Sequence, residues 1–338
     1  MTAITLLDCT LRDGGNHNSW QFTPQDVDEI VTRLDRAGVP FIEIGYRGGS
    51  GSHSAMNTGA SARCDDEYLA ALPAVTQAAF VAMVVPTVCS LKDALHLAHS
   101  RVKVVRVAVY PWDAHLAPAY IEALRAAGLR VTVNLMALSY TDQDSLHRIV
   151  GMFTGDAAPD VFYVADSFGA LTPRTVTSVI TQLVGSSSAP VGVHFHNNLG
   201  LSAANTLAAI DAGARWVDAS LASLARGAGN LATEQATAIC EAAGIAVGDI
   251  SSEAVADAAE YVLRNVLDGP LYTSRSELLS GLNNHHYYFQ KHINEIAADL
   301  DLNVRELGRR VGCARPKKVT RELVLEMAHA VKAEERNT

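Results

Sequence analysis

Three places in the chain carry residue types that can hold a metal ion and an oxyanion side by side. Near the N-terminus, Leu7-Asp8-Cys9-Thr10-Leu11-Arg12-Asp13-Gly14-Gly15 sets a guanidinium beside a carboxylate, directly before two glycines that turn the chain away. Far downstream, Val193-His194-Phe195-His196 spaces two imidazoles two residues apart. Residues i and i+2 of a strand point to one side, so both rings face together while Phe195 faces the opposite way. A third stretch, Arg226-Gly227-Ala228-Gly229-Asn230, can add the amide oxygen of Asn230. Asp13, His194 and His196 make an N/N/O donor set with open positions, which suits a catalytic divalent ion. Each motif alone is weak. An isolated His-x-His is more often structural, and an Arg-Asp dipeptide is more often a surface ion pair.

The weight of these motifs depends on the elements that position them. Apolar, β-branched runs recur at Ile4–Leu7, Phe41–Ile44, Phe80–Val85, Val104–Val109, Val131–Leu135, Val161–Val164, Val191–Phe195 and Trp216–Ala219. They are nearly continuous in hydrophobicity, as strands covered on both faces are. Helical stretches separate them. Thr23-Pro24 opens one that ends at Gly38, and Pro118 to Ala127 stops at Gly128. Thr172-Pro173 opens another that ends near Val184 and Gly185, and Ser202 to Ala212 stops at Gly213. The alternation predicts an α/β fold, a (β/α)8 TIM barrel over residues 1–265. No Gly-x-Gly-x-x-Gly follows the first strand, which argues against a doubly wound dinucleotide fold. From Leu267 the texture changes. Asp268-Gly269-Pro270 breaks the pattern, and Ser276–Leu300, Asn303–Val311 and Thr320–Lys332 read as a small helical C-terminal domain over residues 266–338.

Active-site residues of such a barrel collect at the C-terminal ends of strands. Glu43, Arg106, Asn134 and Ser167 fall there and join Arg12 as candidate substrate-binding residues, with Asp218 on the eighth strand. Glu43, Arg106 and Asp218 have a second reading, as an ion-pair layer inside the barrel. His17, four residues after Asp13, is the candidate general base, and His53 and His115 are alternatives in other loops of the same end. The cluster His285-His286-Tyr287-Tyr288 reads as interdomain packing or a cap over the mouth.

Bulk properties narrow the partners. The chain of 338 residues is 49% hydrophobic and 19% charged, with a formal net charge of −9. That argues against a nucleic-acid or acidic-membrane surface as the main partner and leaves small anionic substrates open. Five scattered cysteines without Cys-x-x-Cys give neither a disulfide framework nor a thiolate zinc site, and fit a reducing compartment. No signal pattern and no apolar run long enough for a membrane span occur, so a cytoplasmic location is expected.

Asp8-Cys9-Thr10-Leu11-Arg12-Asp13-Gly14 resembles the D-x-T-L-R-D-G signature of the metal-dependent pyruvate aldolases and hydroxymethylglutaryl-CoA-lyase-like enzymes, the DRE-type TIM-barrel metallolyases. Val193-His194-Phe195-His196-Asn197-Asn198-Leu199-Gly200 is similar to their second signature, and Val217–Leu221 with Gly227-Ala228-Gly229-Asn230 to their third. The region from Pro270 to Ala330 resembles the C-terminal domain of the 4-hydroxy-2-oxovalerate aldolase branch. The lyase branch carries a reactive cysteine in the loop after strand eight, whereas Leu221 to Arg226 contains none.

The resemblance implies that Asp13, His194 and His196 bind the metal, that Asn230 adds a ligand and that Arg12 stabilises a pyruvate enolate. Two positions depart from the aldolase branch. Asn16 stands where the branch has its histidine base, with His17 one residue later, and Leu282 aligns with a site tyrosine. The expected activity is a class II aldolase that cleaves or forms a 4-hydroxy-2-oxo acid from pyruvate and an aldehyde. Its cofactor is a divalent ion, Mn²⁺ first and Mg²⁺, Co²⁺ or Zn²⁺ as alternatives. An acylating aldehyde dehydrogenase is the expected protein partner, and a homodimer the expected assembly. The competing readings are an acyl-CoA-dependent lyase or synthase of the same superfamily and a non-catalytic scaffold.

Overall fold

The structure, a computed structural model, describes residues 3–49, 58–267 and 269–335. Eight parallel strands close into a barrel in the order β1 to β8, with β8 pairing back onto β1. They are β1 (Thr5–Asp8), β2 (Phe41–Tyr46), β3 (Ala79–Val84), β4 (Val102–Val109), β5 (Arg130–Leu135), β6 (Val161–Asp166), β7 (Val191–Phe195) and β8 (Trp216–Ala219). All eight sequence-derived strands are present, with ends displaced by at most two residues.

A short helix α1 (Gly15–Asn18) follows β1, and the crossover helices are α2 (Pro24–Arg36), α3 (Asp66–Ala71), α4 (Leu91–Leu95), α5 (Ala117–Ala126), α6 (Gln143–Val150), α7 (Pro173–Ser186) and α8 (Ser202–Asp211). After β8 come α9 (Thr233–Ala242) and α10 (Ser252–Asn265). Local chemistry sets their starts. Thr23 Oγ accepts the Asp26 amide at 3.1 Å while the Asp26 carboxylate accepts the Thr23 amide at 2.9 Å, a reciprocal cap worth about 1 kcal/mol. The α7 helix runs one residue past its expected stop, through Gly185 to Ser186, because an exposed glycine inside a helix costs only about 1 kcal/mol.

Strand parity divides the side chains between two layers. Leu6, Ile42, Ile44, Val105, Val107, Val131, Val133, Val193 and Phe195 point outward into the helix layer and form the main hydrophobic core. The barrel floor is closed by Leu7, Val81 and Val104 with Phe41 against them. Above that floor the inward positions turn polar, and Glu43, Arg106 and Asp218 are buried on β2, β4 and β8.

The C-terminal region holds α11 (Arg275–Asn283), α12 (Tyr288–Asp299), α13 (Val304–Cys313) and α14 (Arg321–Glu335). It packs its own core of Phe289, Ile293, Ile296, Leu307, Val311, Val324 and Ala328. The stretch expected as one helical segment, Ser276–Leu300, is two helices. Asn284 adopts φ 54°, a left-handed conformation that its short polar side chain tolerates, and ends α11. Its Oδ1 then accepts the Ser139 hydroxyl at 2.6 Å, so the break also fastens this region to the barrel. Asn198 Nδ2 donates to Glu277 O and Ser280 Oγ across the same boundary.

Candidate active site

The turn after β1 is built by close approach. Gly14 has an ordinary φ of −57°, and what it needs is space: a Cβ there would lie 2.1 Å from Thr10 O. A Cβ on Gly15 would lie 1.9 Å from the Trp20 ring. The expectation that these glycines merely turn the chain is therefore corrected to one of packing. Trp20 is fully buried, and its Nε1–H donates to Arg12 O at 2.8 Å, which pins the Arg12-Asp13 segment.

Asp13, His194 and His196 meet at the barrel mouth, and their ligand atoms all lie within 4.8 Å of one another. Asp13 Oδ2 is 3.4 Å from His194 Nε2 and 3.8 Å from His196 Nε2. Asn230 comes from the loop after β8, and its Nδ2 donates to Asp13 Oδ2 at 2.8 Å. Its Oδ1 is buried with no partner among the described residues. One carboxylate and two imidazoles converging in a buried cluster, with an orphaned amide oxygen beside them, fit a divalent ion.

A ring of charges supports this cluster. Asp218 Oδ2 lies 3.1 Å from His194 Nδ1, and Arg106 NH2 donates to the same oxygen at 2.6 Å. Arg106 NH1 donates to Glu43 Oε2 at 3.1 Å, Arg12 Nε donates to that oxygen at 2.8 Å, and Arg12 NH1 donates to Asp13 Oδ1 at 2.6 Å. A carboxylate on His194 Nδ1 holds the proton there and leaves Nε2 free as a donor atom to an ion. Burial opposes the charge on Asp13, yet Arg12 and the two histidines outweigh it and hold the carboxyl well below the usual range. Burial likewise opposes Asp218, and Arg106 with His194 keeps it ionised. The imidazoles differ: burial and then the charge of Arg226 push His196 well down, while hydrogen bonds to Asp13 and Asp218 raise His194 against its burial.

Arg12 NH2 is buried without a partner among the described residues, which leaves a cationic donor beside the cluster. Asn134 is buried with its Oδ1 unpaired. Ser167 Oγ accepts the Ala137 amide at 2.8 Å and is half-buried. Glu43 and Arg106, expected at the substrate, are fully buried in the ring and bonded to protein groups. Both take part in an ion-pair layer inside the barrel, while Glu43 Oε1 and Arg106 Nε have no partner among the described residues.

His17 is exposed, and partial desolvation lowers its pKa. It is Asn16 that turns to Asp13, donating from Nδ2 to Oδ1 at 3.2 Å and to O at 3.0 Å. His115 is exposed in the turn after β4, and His53 lies outside the described residues. The His285–Tyr288 cluster, expected as interdomain packing or a cap, contributes two groups here. Tyr287, from the start of α12, feels the charges of both Asp13 and Arg226, and the Arg226 guanidinium lies 6.0 Å from its ring centroid. His286 packs edge-on against Phe168 at 6.2 Å. Only the His285–Tyr288 cluster itself hinted at a cap over the mouth.

A model of the HMGL-like family matches residues 3–262. The 4-hydroxy-2-oxovalerate aldolase 2 of Rhodococcus jostii is 37% identical over 279 residues, 82% of this chain and 80% of the relative. The 4-hydroxy-2-oxovalerate aldolase of Carboxydothermus hydrogenoformans is 34% identical, covering 90% and 92% of the two chains. Among solved structures, the hydroxymethylglutaryl-CoA lyase of Pseudomonas aeruginosa superposes with a TM-score of 0.68 at 18% identity, over 82% of this chain and 96% of that one. At that identity the likeness is one of fold.

Proposed function

The chain belongs to the HMGL-like family, and from that premise we propose that it is a divalent-metal-dependent aldolase, cleaving or forming a 4-hydroxy-2-oxo acid from pyruvate and an aldehyde. One observation carries the reading beyond the family. The buried Asp13, His194 and His196 cluster stands next to an unsatisfied Arg12 donor, and enolate chemistry needs that pair of features.

In this reading Asp13, His194 and His196 hold the ion, with Asn230 beside them. When bound, the ion, taken as Mn²⁺, acts as a Lewis acid on the 2-oxo acid. Asp218 orients His194, and the ring through Arg106 and Glu43 keeps Arg12 and Asp13 in place. His17 takes the proton of the 4-hydroxyl on a ring nitrogen. The C3–C4 bond breaks as that oxygen becomes the aldehyde carbonyl, and its electron pair passes to the enolate. Arg12 NH2 donates to the enolate oxygen; a fixed donor of this kind is worth about 3 kcal/mol. A proton delivered to C3 completes pyruvate. His286 is unsuited to the base role, because its Nδ1 accepts the Tyr288 amide at 3.3 Å and the remaining nitrogen then carries the proton.

The catalytic barrel is assigned to residues 1–265 and the helical cover to 266–338, a division supported by two separate hydrophobic cores. No described helix is long and apolar enough to cross a membrane, and all five cysteines are free. A cytoplasmic homodimer, working with an acylating aldehyde dehydrogenase that consumes the aldehyde, belongs to the same proposal. An acyl-CoA-dependent reaction is less favoured, because the curated relatives are named as aldolases and the loop from Leu221 to Arg226 holds no thiol.

The test is proton exchange. The protein with Mn²⁺ in D₂O is expected to wash deuterium into C3 of pyruvate and to release pyruvate from 4-hydroxy-2-oxopentanoate. A protein that binds Mn²⁺ but catalyses neither is not an aldolase. For His17→Gln, exchange persisting while cleavage of the hydroxy acid is lost places the base at the 4-hydroxyl.

A further inference from the structure

Resting on the aldolase reading, we propose that Arg226 recognises a carboxylate on the aldehyde half of the substrate, so that the aldehyde taken or released here carries an acid group of its own.

Arg226 opens the glycine-rich loop after β8 and is half-buried. Two elements hold it. Its NH2 donates to Ser167 O at the end of β6, and its guanidinium lies over the Tyr287 ring of the C-terminal region. Its charge also acts on Tyr110, in the turn after β4, and on His286, just before α12. The other buried arginines have counter-ions: Arg12 has Asp13 and Glu43, Arg106 has Glu43 and Asp218, and Arg47 has Asp66. Among the described residues no carboxylate comes within ion-pair distance of Arg226. The acid on the neighbouring helix is committed elsewhere. Glu277 Cγ would touch a Cβ on Gly227 at 3.3 Å, but its carboxylate folds back to accept the Ser274 amide at 3.0 Å.

A half-buried guanidinium without a counter-ion is costly, and a planar carboxylate is the ligand its remaining N–H groups match best. The pyruvate half has its own groups, the ion site and Arg12 NH2. Arg226 is a second cation, set against Tyr287. Tyr110, Tyr140 and Phe168 form one aromatic cluster, and the cations at its edge, Arg315 on Tyr140 O and Lys317 over Trp112, are exposed. A neutral aldehyde would leave this cation unpaired, and an aldehyde with its own carboxylate would neutralise it.

The experiment compares kcat/KM for condensation of pyruvate with two charged aldehydes, glyoxylate and succinic semialdehyde, against uncharged partners of similar length, propanal and pentanal. The comparison is made in the wild type, Arg226→Leu and Arg226→Lys, each with Mn²⁺. At the chain length the wild type prefers, Arg226→Leu is expected to lower the charged-to-uncharged ratio at least about tenfold, with Arg226→Lys recovering part of it. A ratio in Arg226→Leu within about threefold of wild type overturns the assignment. So does an equal loss for both aldehydes accompanied by loss of C3 exchange in pyruvate alone, which would place Arg226 on the pyruvate half. Circular dichroism and thermal melting verify that the variants fold. Exchange in the wild type separates the two failures. Its absence removes the aldolase reading itself, whereas exchange with an unaltered ratio removes only the carboxylate.

Discussion

Asp13 is the residue on which the site's charge balance turns. It faces two imidazoles through one oxygen and Arg12 through the other. Asp13→Asn is expected to weaken Mn²⁺ binding at least about a hundredfold by calorimetry and to abolish C3 exchange. Asp218 bonds Nδ1 of His194, the ring nitrogen turned away from Asp13. Asp218→Asn is expected to cost about ten- to a hundredfold in the same titration, with the fold intact. A different aspartate controls pH dependence. Asp8 points away from the mouth, where its carboxylate accepts Thr10 N and the Thr233 hydroxyl, and burial raises its pKa to about 6. A folded-state value above the ordinary 3.8 means that the fold favours the protonated acid. Its contribution is therefore full below about pH 4 and is lost as pH rises through about 6, up to about 3 kcal/mol. Urea unfolding of Asp8→Asn from pH 4 to 7 is expected to show a flatter fall in stability than wild type across that window.

Short elements do the aiming. The turn from Arg12 through α1 to Trp20 is held by one indole hydrogen bond and by glycines that let the ring close down on the backbone. Trp20→Phe keeps the ring and leaves Arg12 O without that donor. It is expected to cost about 1–3 kcal/mol in urea unfolding and to lower kcat more than it raises KM, because Arg12 loses its fixed position. The same turn explains why Asn16 and His17 exchange the places that a linear reading gives them. Successive residues of a helix point about 100° apart, so only one of the two can face Asp13, and it is Asn16. On β7 the opposite rule works in favour of a sequence reading, since alternation sends His194 inward and Phe195 into the helix layer without ambiguity.

At the scale of the whole molecule, the mouth is shaped by two parts of the chain that share no strand. Asn198, two residues after His196, reaches Glu277 O and Ser280 Oγ, and Gly281 packs so near that a Cβ would lie 2.8 Å from the Asn198 Cβ. Asn198→Ala is expected to cost about 1–3 kcal/mol and to speed limited proteolysis between Asn265 and Arg275. The barrel ring of two arginines and three carboxylates, Asp13, Glu43 and Asp218, sums to one negative charge with neutral histidines. A divalent cation inverts that sign, which favours an anionic substrate at the mouth.

Local pattern is what the amino-acid sequence determines by itself. Continuous β-branched runs name the strands, their parity names inward and outward residues, and so the eight-stranded barrel and the convergence of Asp13, His194 and His196 were legible. Partners that meet across closed ladders were not. Arg106 finds Glu43 63 residues away and Asp218 112 residues away, and only the register of β2, β4 and β8 around the barrel sets those distances. Parity alone could not say whether Glu43 and Arg106 stop below the rim or reach the substrate. The placing of Tyr287 against Arg226 depends on how a separately cored helical region docks on the mouth. Periodicity carries no information about such docking, because it depends on complementary surfaces that form only after each part has folded.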